Sequence, residues 1–331
     1  MIITCGKCRT RYRINDNTIS KEEFRVRCVK CNHAFIVKKP GSDSENDNRL
    51  VSKNTGVSPL RKNYVGDTDC KVITICNQKG GVAKTTTCLN LAASLVLQGK
   101  RVLVVDFDIQ SNLTLLLGHK DARSFFDVVD TDANEESLSD YLIKTKHNFC
   151  LLPSNSKMAL LSKKHLPSDN FEYMLRDKLL EVKSNFDYIL IDTPPSGDFY
   201  TLNALLASNS AIVPVTCDYL SLNGVAHIEG MVKVINEKIN HAISMHVLIT
   251  MLEKENTVGQ VVLKKILDKY KDIVFSSMIE KDQKVQESQI VNSPVISYSQ
   301  QSSAAKQYLE MANELERMFD VNVDHSKVSS Q

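Results

Sequence analysis

The stretch "ICNQKGGVAKTTT", residues 75–87, decides how this chain is read. Before it runs the apolar "KVIT"; after it Leu89, Ala92, Ala93 and Val96 recur at helical spacing, and Gly99 suits the turn beyond a helix. The order is strand, glycine-rich loop, helix. Successive backbone N–H groups of such a loop, with the positive end of the helix that follows, hold phosphate oxygens. The usual template, G-x-x-x-x-G-K-[ST], fits only at its end: aligned on Lys84 and Thr85, its two glycines fall on Gln78 and Ala83. The loop carries Gly80 and Gly81 instead, with a second lysine, Lys79, just before them. Ala83 differs from glycine by one methyl, a modest change where the backbone is ordinary. Lys84 is placed to set its ammonium against the β- and γ-phosphates and Thr85 to offer its hydroxyl to Mg²⁺. Residues Lys79, Gly80, Gly81, Val82, Ala83, Lys84, Thr85 and Thr86 are the candidate nucleotide site. A glycine turn with incidental lysines is the competing reading, and the flanking strand and helix count against it.

Outward from this loop, between about residue 70 and residue 320, short runs rich in Val, Ile and Leu alternate with longer amphipathic ones. "KVITIC", "RVLVVD", "FCLLP", "YILID", "AIVPVT" and "HVLIT" are brief, and several are apolar at consecutive positions, as strands covered on both faces require. This predicts an α/β domain: a mostly parallel sheet with helices on both faces. "RVLVVDFDIQSN" puts Asp106 and Asp108 at the carboxyl end of one strand, and "YILIDTPPS" puts Asp192 at the end of another. Ligands of doubly wound sheets bind at those ends. One acid would hold the magnesium shell and another would orient an attacking water. A lone aspartate at a strand end is often only a helix cap; three beside a phosphate loop point to function.

The composition excludes other classes. Among 331 residues, 42% are hydrophobic and 24% charged, ordinary for a globular chain. A net charge of +2 is too small to imply a polyanion partner. No apolar run approaches the roughly 18 residues of a membrane span, and the opening "MIITCGKCRTRYR" turns polar at once, which predicts a cytoplasmic protein. Nine cysteines without an export signal argue for metal ligands or free thiols. Cys5-x₂-Cys8 and Cys28-x₂-Cys31 match the four-cysteine zinc pattern, in which two tight turns close a tetrahedron of thiolates. A redox dithiol or free thiols are the alternatives. Structural zinc contributes roughly 10–16 kcal/mol in comparable small units. His33 is a bystander, and Cys70, Cys76, Cys88, Cys150 and Cys217 read as packing residues. The organisation expected is a zinc ribbon at 1–38, a flexible polar linker at 39–69, the α/β domain at 70–320 and a disordered tail at 321–331.

"KGGVAKTT", "DFDIQSN" and "IDTPPS", in this order, resemble the deviant Walker ATPases of the ParA/MinD group, and ParA more closely because D-x-D-x-Q-S/G-N follows its second strand. "SNSAIVPVTCDYLSLNGV" resembles the family's switch-like segment and "IEKDQKVQESQIVNSPV" its late block. The resemblance implies a slow ATPase that uses ATP and Mg²⁺, closes into a homodimer with ATP, binds DNA non-specifically and positions a plasmid, chromosome or protein cargo. It implies a centromere-binding or cargo-adaptor protein that stimulates hydrolysis, and a nucleoid-associated location. It further implies that Lys79 reaches across the dimer to the other subunit's nucleotide. Asp108 then orients the water, while Asp106 and Asp192 support the magnesium shell. Lys281 and Lys284 are the foremost candidates for DNA contact, among Lys254, Lys264, Lys265 and Lys269. The late block departs from the family, carrying Glu280 and Asp282 where Pro and Asn are usual. The last helix, "AAKQYLEMANELERMF", looks like a packing helix, so no membrane partner is expected.

The ribbon resembles the small zinc ribbons at the front of some bacterial regulatory and motility proteins, and its role stays open among DNA contact, protein docking and a solvated basic surface. Functions of other classes are an ATP-switched regulator acting through the ribbon, or a metabolic or electron-transfer P-loop enzyme.

Overall fold

The computed structural model describes residues 70–328, apart from 131–135, 166–169, 197–198 and 240, together with four short strands nearer the N-terminus. The chain divides into two compact units, Met1–Pro59 and Leu60–Gln331. In the first, β1 (Ile2–Thr4) pairs antiparallel with β2 (Arg11–Arg13), and β3 (Glu23–Arg27) with β4 (Ala34–Lys38). "EFRVR" alternates polar and apolar residues, the period of a strand with one apolar face, while "AFIVK" is apolar over four consecutive positions, and the register sets Phe24 opposite Val37 and Val26 opposite Phe35. In sequence, Cys5 and Cys8 fall between β1 and β2, and Cys28 and Cys31 between β3 and β4. The four cysteines themselves, and the segment 39–69 read as a linker, lie outside the described residues.

The second unit runs β5 (Lys71–Ile75), α1 (Lys84–Leu97), β6 (Val102–Asp106), α2 (Asn112–Leu116), α3 (Phe125–Asp130), β7 (Ile143–Lys144), β8 (Cys150–Leu152), α4 (Met158–His165), α5 (Met174–Leu179), β9 (Tyr188–Asp192), α6 (Phe199–Ala207), β10 (Ser210–Val215), α7 (Ser221–Ile239), β11 (Ser244–Ile249), α8 (Thr257–Tyr270), α9 (Gln283–Ile290), α10 (Val295–Tyr298) and α11 (Ser303–Val328). Its seven strands lie in the order β11-β10-β5-β9-β6-β8-β7. All neighbours are parallel except the β7–β8 hairpin at one edge. All six apolar runs read from sequence are strands of this sheet. The two-residue β7 has no counterpart in that reading because two residues carry no periodicity.

The period of two divides the strand residues between the faces. Ile73, Ile75, Val102, Val104, Leu190, Ile212 and Leu248 pack beneath α1, α10 and α11. Val72, Leu103, Val105, Ile189 and Ile191 pack against α3 to α6, and Val213, Val215, Val247 and Ile249 against α7 and α8. Both faces are therefore covered, which is why the strands read as continuous apolar runs. Gly99 ends α1 as expected: its φ is +79°, and its N–H and that of Lys100 donate to the carbonyls of Val96 (2.9 Å) and Leu95 (3.1 Å). The C-terminus differs from expectation. The helix α11 continues to Val328 where the sequence reading places a disordered tail from 321, since no proline or glycine after Ser303 interrupts it.

Candidate nucleotide-binding site

The register of the central strands builds the site. Asp192 at the end of β9 lies level with Ile75 of β5 on one side and Asp106 of β6 on the other. The glycine loop leaves β5 beside Asp192. Three distant elements hold that loop. The side chain of Asn77 donates to the Pro214 carbonyl (2.8 Å) and accepts the Lys79 N–H (3.0 Å). Thr250, just beyond β11, donates its hydroxyl to the Val82 carbonyl (3.1 Å), and Gln289 of α9 donates to the Thr86 hydroxyl (3.1 Å). Gly80 and Gly81 are exposed, and Gly81 has φ +73°.

Ala83 corrects the sequence reading. It caps α1 at φ 65° and ψ 33°, so its methyl sits in the left-handed region and is not a modest change on ordinary backbone. Such a residue costs about 1–3 kcal/mol and persists only where its surroundings impose it. Here the Ala83 carbonyl accepts the Thr87 N–H at 2.8 Å, so the first turn of α1 is closed from this position.

Lys84 is buried in the first turn of α1, and its ammonium spans the loop back to the Lys79 carbonyl at 3.2 Å. Burial lowers its pKa, and Asp192 and Asp108 pull the other way. No acidic residue occupies the first turn of α1, which leaves its positive end unopposed. Asp192 is fully buried, and neither carboxylate oxygen has a hydrogen-bonding partner. Burial raises its pKa well above the usual carboxylate range; Asp106 adds to the rise, while the neighbouring Thr85 hydroxyl opposes it. Two orphaned oxygens of this kind fit a cation, and the carboxylate–hydroxyl pair of Asp192 and Thr85 is a hard-oxygen donor set of the type magnesium takes.

The other two acids differ from Asp192. Both oxygens of Asp106 are committed within the chain: one accepts the Asp108 N–H (3.2 Å), the other the Thr114 N–H (2.8 Å) and hydroxyl (2.6 Å). This carboxylate holds the β6–α2 turn, so of the two acids expected in the magnesium shell only Asp192 has uncommitted oxygens. Burial pushes Asp106 up to about 7 despite the Thr114 bonds. Asp108 accepts the Gln110 N–H at 2.9 Å; burial raises its pKa, opposed by that bond and by Lys84.

Lys79 turns away from this cluster. Its ammonium forms an ion pair with Asp218, in the turn between β10 and α7 of its own chain. Of the six lysines expected at DNA, three are exposed but countered: Lys281 pairs with Glu253, Lys284 with Glu287 (2.7 Å) and Lys254 with Glu280 (2.7 Å). Asp282, the other acid of the late block, caps α9 by accepting the Lys284 N–H (2.8 Å). No helix among the described residues is long and apolar enough to cross a membrane. The sequence reading did not reach Asn77, Thr250, Gln289 or Asp218. Asn77 alone left a signal, as a polar residue between an apolar strand and the glycines.

A parallel sheet, a glycine loop at the end of a central strand, a buried lysine in the first turn of the following helix and a partnerless aspartate on the next strand define a P-loop nucleotide-binding protein. Comparison with known proteins narrows the class. Residues 70–245 match the family described as an AAA domain, and residues 1–36 that described as a zinc-ribbon domain. The chain is 36% identical over 247 residues to the sporulation initiation inhibitor protein Soj of Bacillus subtilis, covering 74% of this chain and 98% of that one. It is 31% identical over 247 residues to the chromosome partitioning protein ParA of Myxococcus xanthus, covering 74% and 87%. Among solved structures it is similar to cobyrinic acid a,c-diamide synthase of Mycobacterium smegmatis with bound ADP and magnesium (TM-score 0.66, 31% identity, 76% of this chain and 96% of that one). The chain belongs to the ParA/Soj family of P-loop ATPases and carries a zinc-ribbon domain at its N-terminus.

Proposed function

We propose that this chain is a ParA-type ATPase that dimerises on ATP, binds DNA without sequence preference and positions a cargo along it, working in the cytoplasm at the nucleoid. The observation that carries the reading is Asp192, a buried carboxylate with no partner beside Thr85 and Lys84. The loop N–H groups and Lys84 bind the phosphates of ATP, and Thr85 and Asp192 hold the magnesium shell. When bound, magnesium neutralises phosphate charge that would otherwise repel the attacking water. Asp108 orients that water. Lys79 crosses to the nucleotide of the second subunit, so that one cation supplied in trans ties hydrolysis to dimerisation; comparable arginine fingers are worth roughly 10³–10⁵ in rate.

DNA contact falls to Lys264 and Lys265, exposed on α8 and without an ion pair among the described residues, more than to the countered Lys281 and Lys284. Zinc held by Cys5, Cys8, Cys28 and Cys31 closes the N-terminal unit. Residues 1–39 hold ten Lys and Arg against three Asp and Glu, which makes that unit basic and suits it to an acidic partner. Turnover is slow alone and rises with DNA and a centromere-binding or cargo-adaptor protein.

Light scattering with ATP and with a slowly hydrolysed analogue tests the reading. Wild type dimerises with the analogue, and Asp108→Ala dimerises with ATP itself. Lys79→Ala binds ATP yet loses hydrolysis. Monomers in every nucleotide state would overturn the reading. ATP turnover that requires an added carboxylic acid acceptor would favour instead a synthase of the kind named for the Mycobacterium smegmatis structure.

A further inference from the structure

We infer that Asp218 is a positioning residue for Lys79: with Thr216 and Ser221 it seats the lysine ammonium on the β10–α7 turn of its own chain, and a second copy of the chain can take up that lysine only by emptying the seat. The inference rests on the trans role of Lys79 proposed above and adds the step that withholds it.

The seat is built from groups that already hold one another. The Lys79 ammonium pairs with Oδ2 of Asp218 and lies 3.3 Å from the Ser221 hydroxyl and 3.5 Å from that of Thr216. Thr216 donates to the same Oδ2 and lies 3.0 Å from Ser221. The other oxygen, Oδ1, accepts the Leu220 N–H at 3.2 Å. Every oxygen around the ammonium is thus fixed by a second bond, as a preformed site requires. Burial raises the Asp218 carboxyl, but the bonds from Lys79, Thr216 and Ser221 outweigh it and hold its pKa at about 2. The carboxylate is charged at any physiological pH.

The seat is also made to open. The Lys79 side chain is 29% exposed and that of Asp218 46%, so water reaches both partners. Between Asp218 and Ser221 stand Tyr219 and Leu220, 82% and 60% exposed, and the turn is not packed in place by its own side chains. An exposed pair of this kind is worth roughly 0.2–1 kcal/mol, a factor of up to about five in an equilibrium. A dimer empties two seats, so the factor enters twice and reaches about two- to thirtyfold in the association constant.

Asp218→Asn keeps the shape and the acceptor for Leu220 while removing the charge. With a slowly hydrolysed ATP analogue, its dimer association constant is expected to exceed that of wild type by the two- to thirtyfold estimated above. Asp218→Glu, which retains the charge, stays near wild type. In the nucleotide-free chain, Lys79 of Asp218→Asn is acylated faster than in wild type by an amine-reactive ester, read by peptide mass spectrometry. An association constant equal to or below wild type, in a wild type that itself dimerises, overturns the inference while leaving the trans reading intact. If wild type never dimerises, the trans reading fails, and unchanged Lys79 acylation then overturns the seat as well. Should Asp218→Asn not fold, Ser221→Ala removes one acceptor and moves both readouts in the same direction by less; no change in either has the same consequence.

Discussion

Asp192 ends β9 with two buried oxygens that lack a well-formed hydrogen bond, although the Thr85 hydroxyl acts on them, and burial and the neighbouring Asp106 keep its carboxyl well above the usual range. A carboxyl whose pKa is higher in the folded than in the unfolded chain keeps its proton on folding. Its contribution is full below the unfolded value and is lost as pH rises through the folded one. For Asp106 that window runs from 3.8 to about 7, and for Asp192 it extends in the same direction. The ligand-free site therefore destabilises the chain at neutral and higher pH, and a bound cation reverses the sign by favouring the ionised form. Asp192→Asn is expected to melt above ligand-free wild type at about pH 8, by about 2–4 °C for each kcal/mol regained, with a smaller margin at about pH 6. The same variant loses magnesium-dependent hydrolysis. Thermal unfolding at the two pH values checks this, and a variant that melts below wild type at both removes the argument. Residues of this kind were legible because Lys84, Thr85, Asp108 and Asp192 stand beside glycines or at strand ends in the sequence itself. The partners that hold the loop were not, because Pro214 lies 137 residues from Asn77, Thr250 168 from Val82 and Gln289 203 from Thr86. The φ of Ala83 is a backbone torsion and leaves no mark in composition or spacing.

The helix α7 meets the loop at Gly224, a glycine inside a helix, where it costs up to about 1 kcal/mol relative to alanine. A Cβ at Gly224 would stand 2.3 Å from Oδ1 of Asn77, the atom that accepts the Lys79 N–H. The helix therefore needs glycine for close approach, and the approach fixes the start of the phosphate loop. Gly224→Ala must push Asn77 aside, breaking its bonds to Lys79 and Pro214; each buried group left unpaired costs about 1–3 kcal/mol. ATP affinity is expected to fall about tenfold or more, since tenfold corresponds to about 1.4 kcal/mol. A titration with a fluorescent ATP analogue, beside a melting curve, decides between the two terms. A higher melting temperature with unchanged affinity would mean that helix propensity wins and that Asn77 does not govern the loop. Elements were the most legible scale of this molecule: runs apolar at consecutive positions named the six parallel strands, and the Leu89–Val96 spacing named α1. What escaped was set by pairing or by the absence of a stop, namely the two-residue β7 and the continuation of α11 to Val328.

The two units of the chain are stabilised by different means. Leu60–Gln331 has its own three apolar clusters, assembled around eleven α-helices and seven strands among the described residues, and buries them itself. Among the described residues, Met1–Pro59 contributes four strands of three to five residues, arranged as two hairpins. A unit of roughly 60 residues buries too little surface to be more than marginal without a metal or disulfides, and isolated hairpins are marginal in water. Two C-x₂-C pairs, each between the strands of one hairpin, supply the four thiolates that would join them. A zinc held there would be required by the small unit alone. One zinc per chain is expected, and a strong chelator or Cys28→Ser should remove it. Amide protection in β1 to β4 should then be lost, since structural zinc supplies roughly 10–16 kcal/mol in such units. The melting of the large unit and its nucleotide-dependent dimerisation should not change. Zinc analysis, hydrogen exchange resolved by peptide and calorimetry on the full chain test this together. A fall in the melting of the large unit on chelation would show that the metal supports the ATPase core, and amide protection that survives chelation would show that the hairpins fold without it.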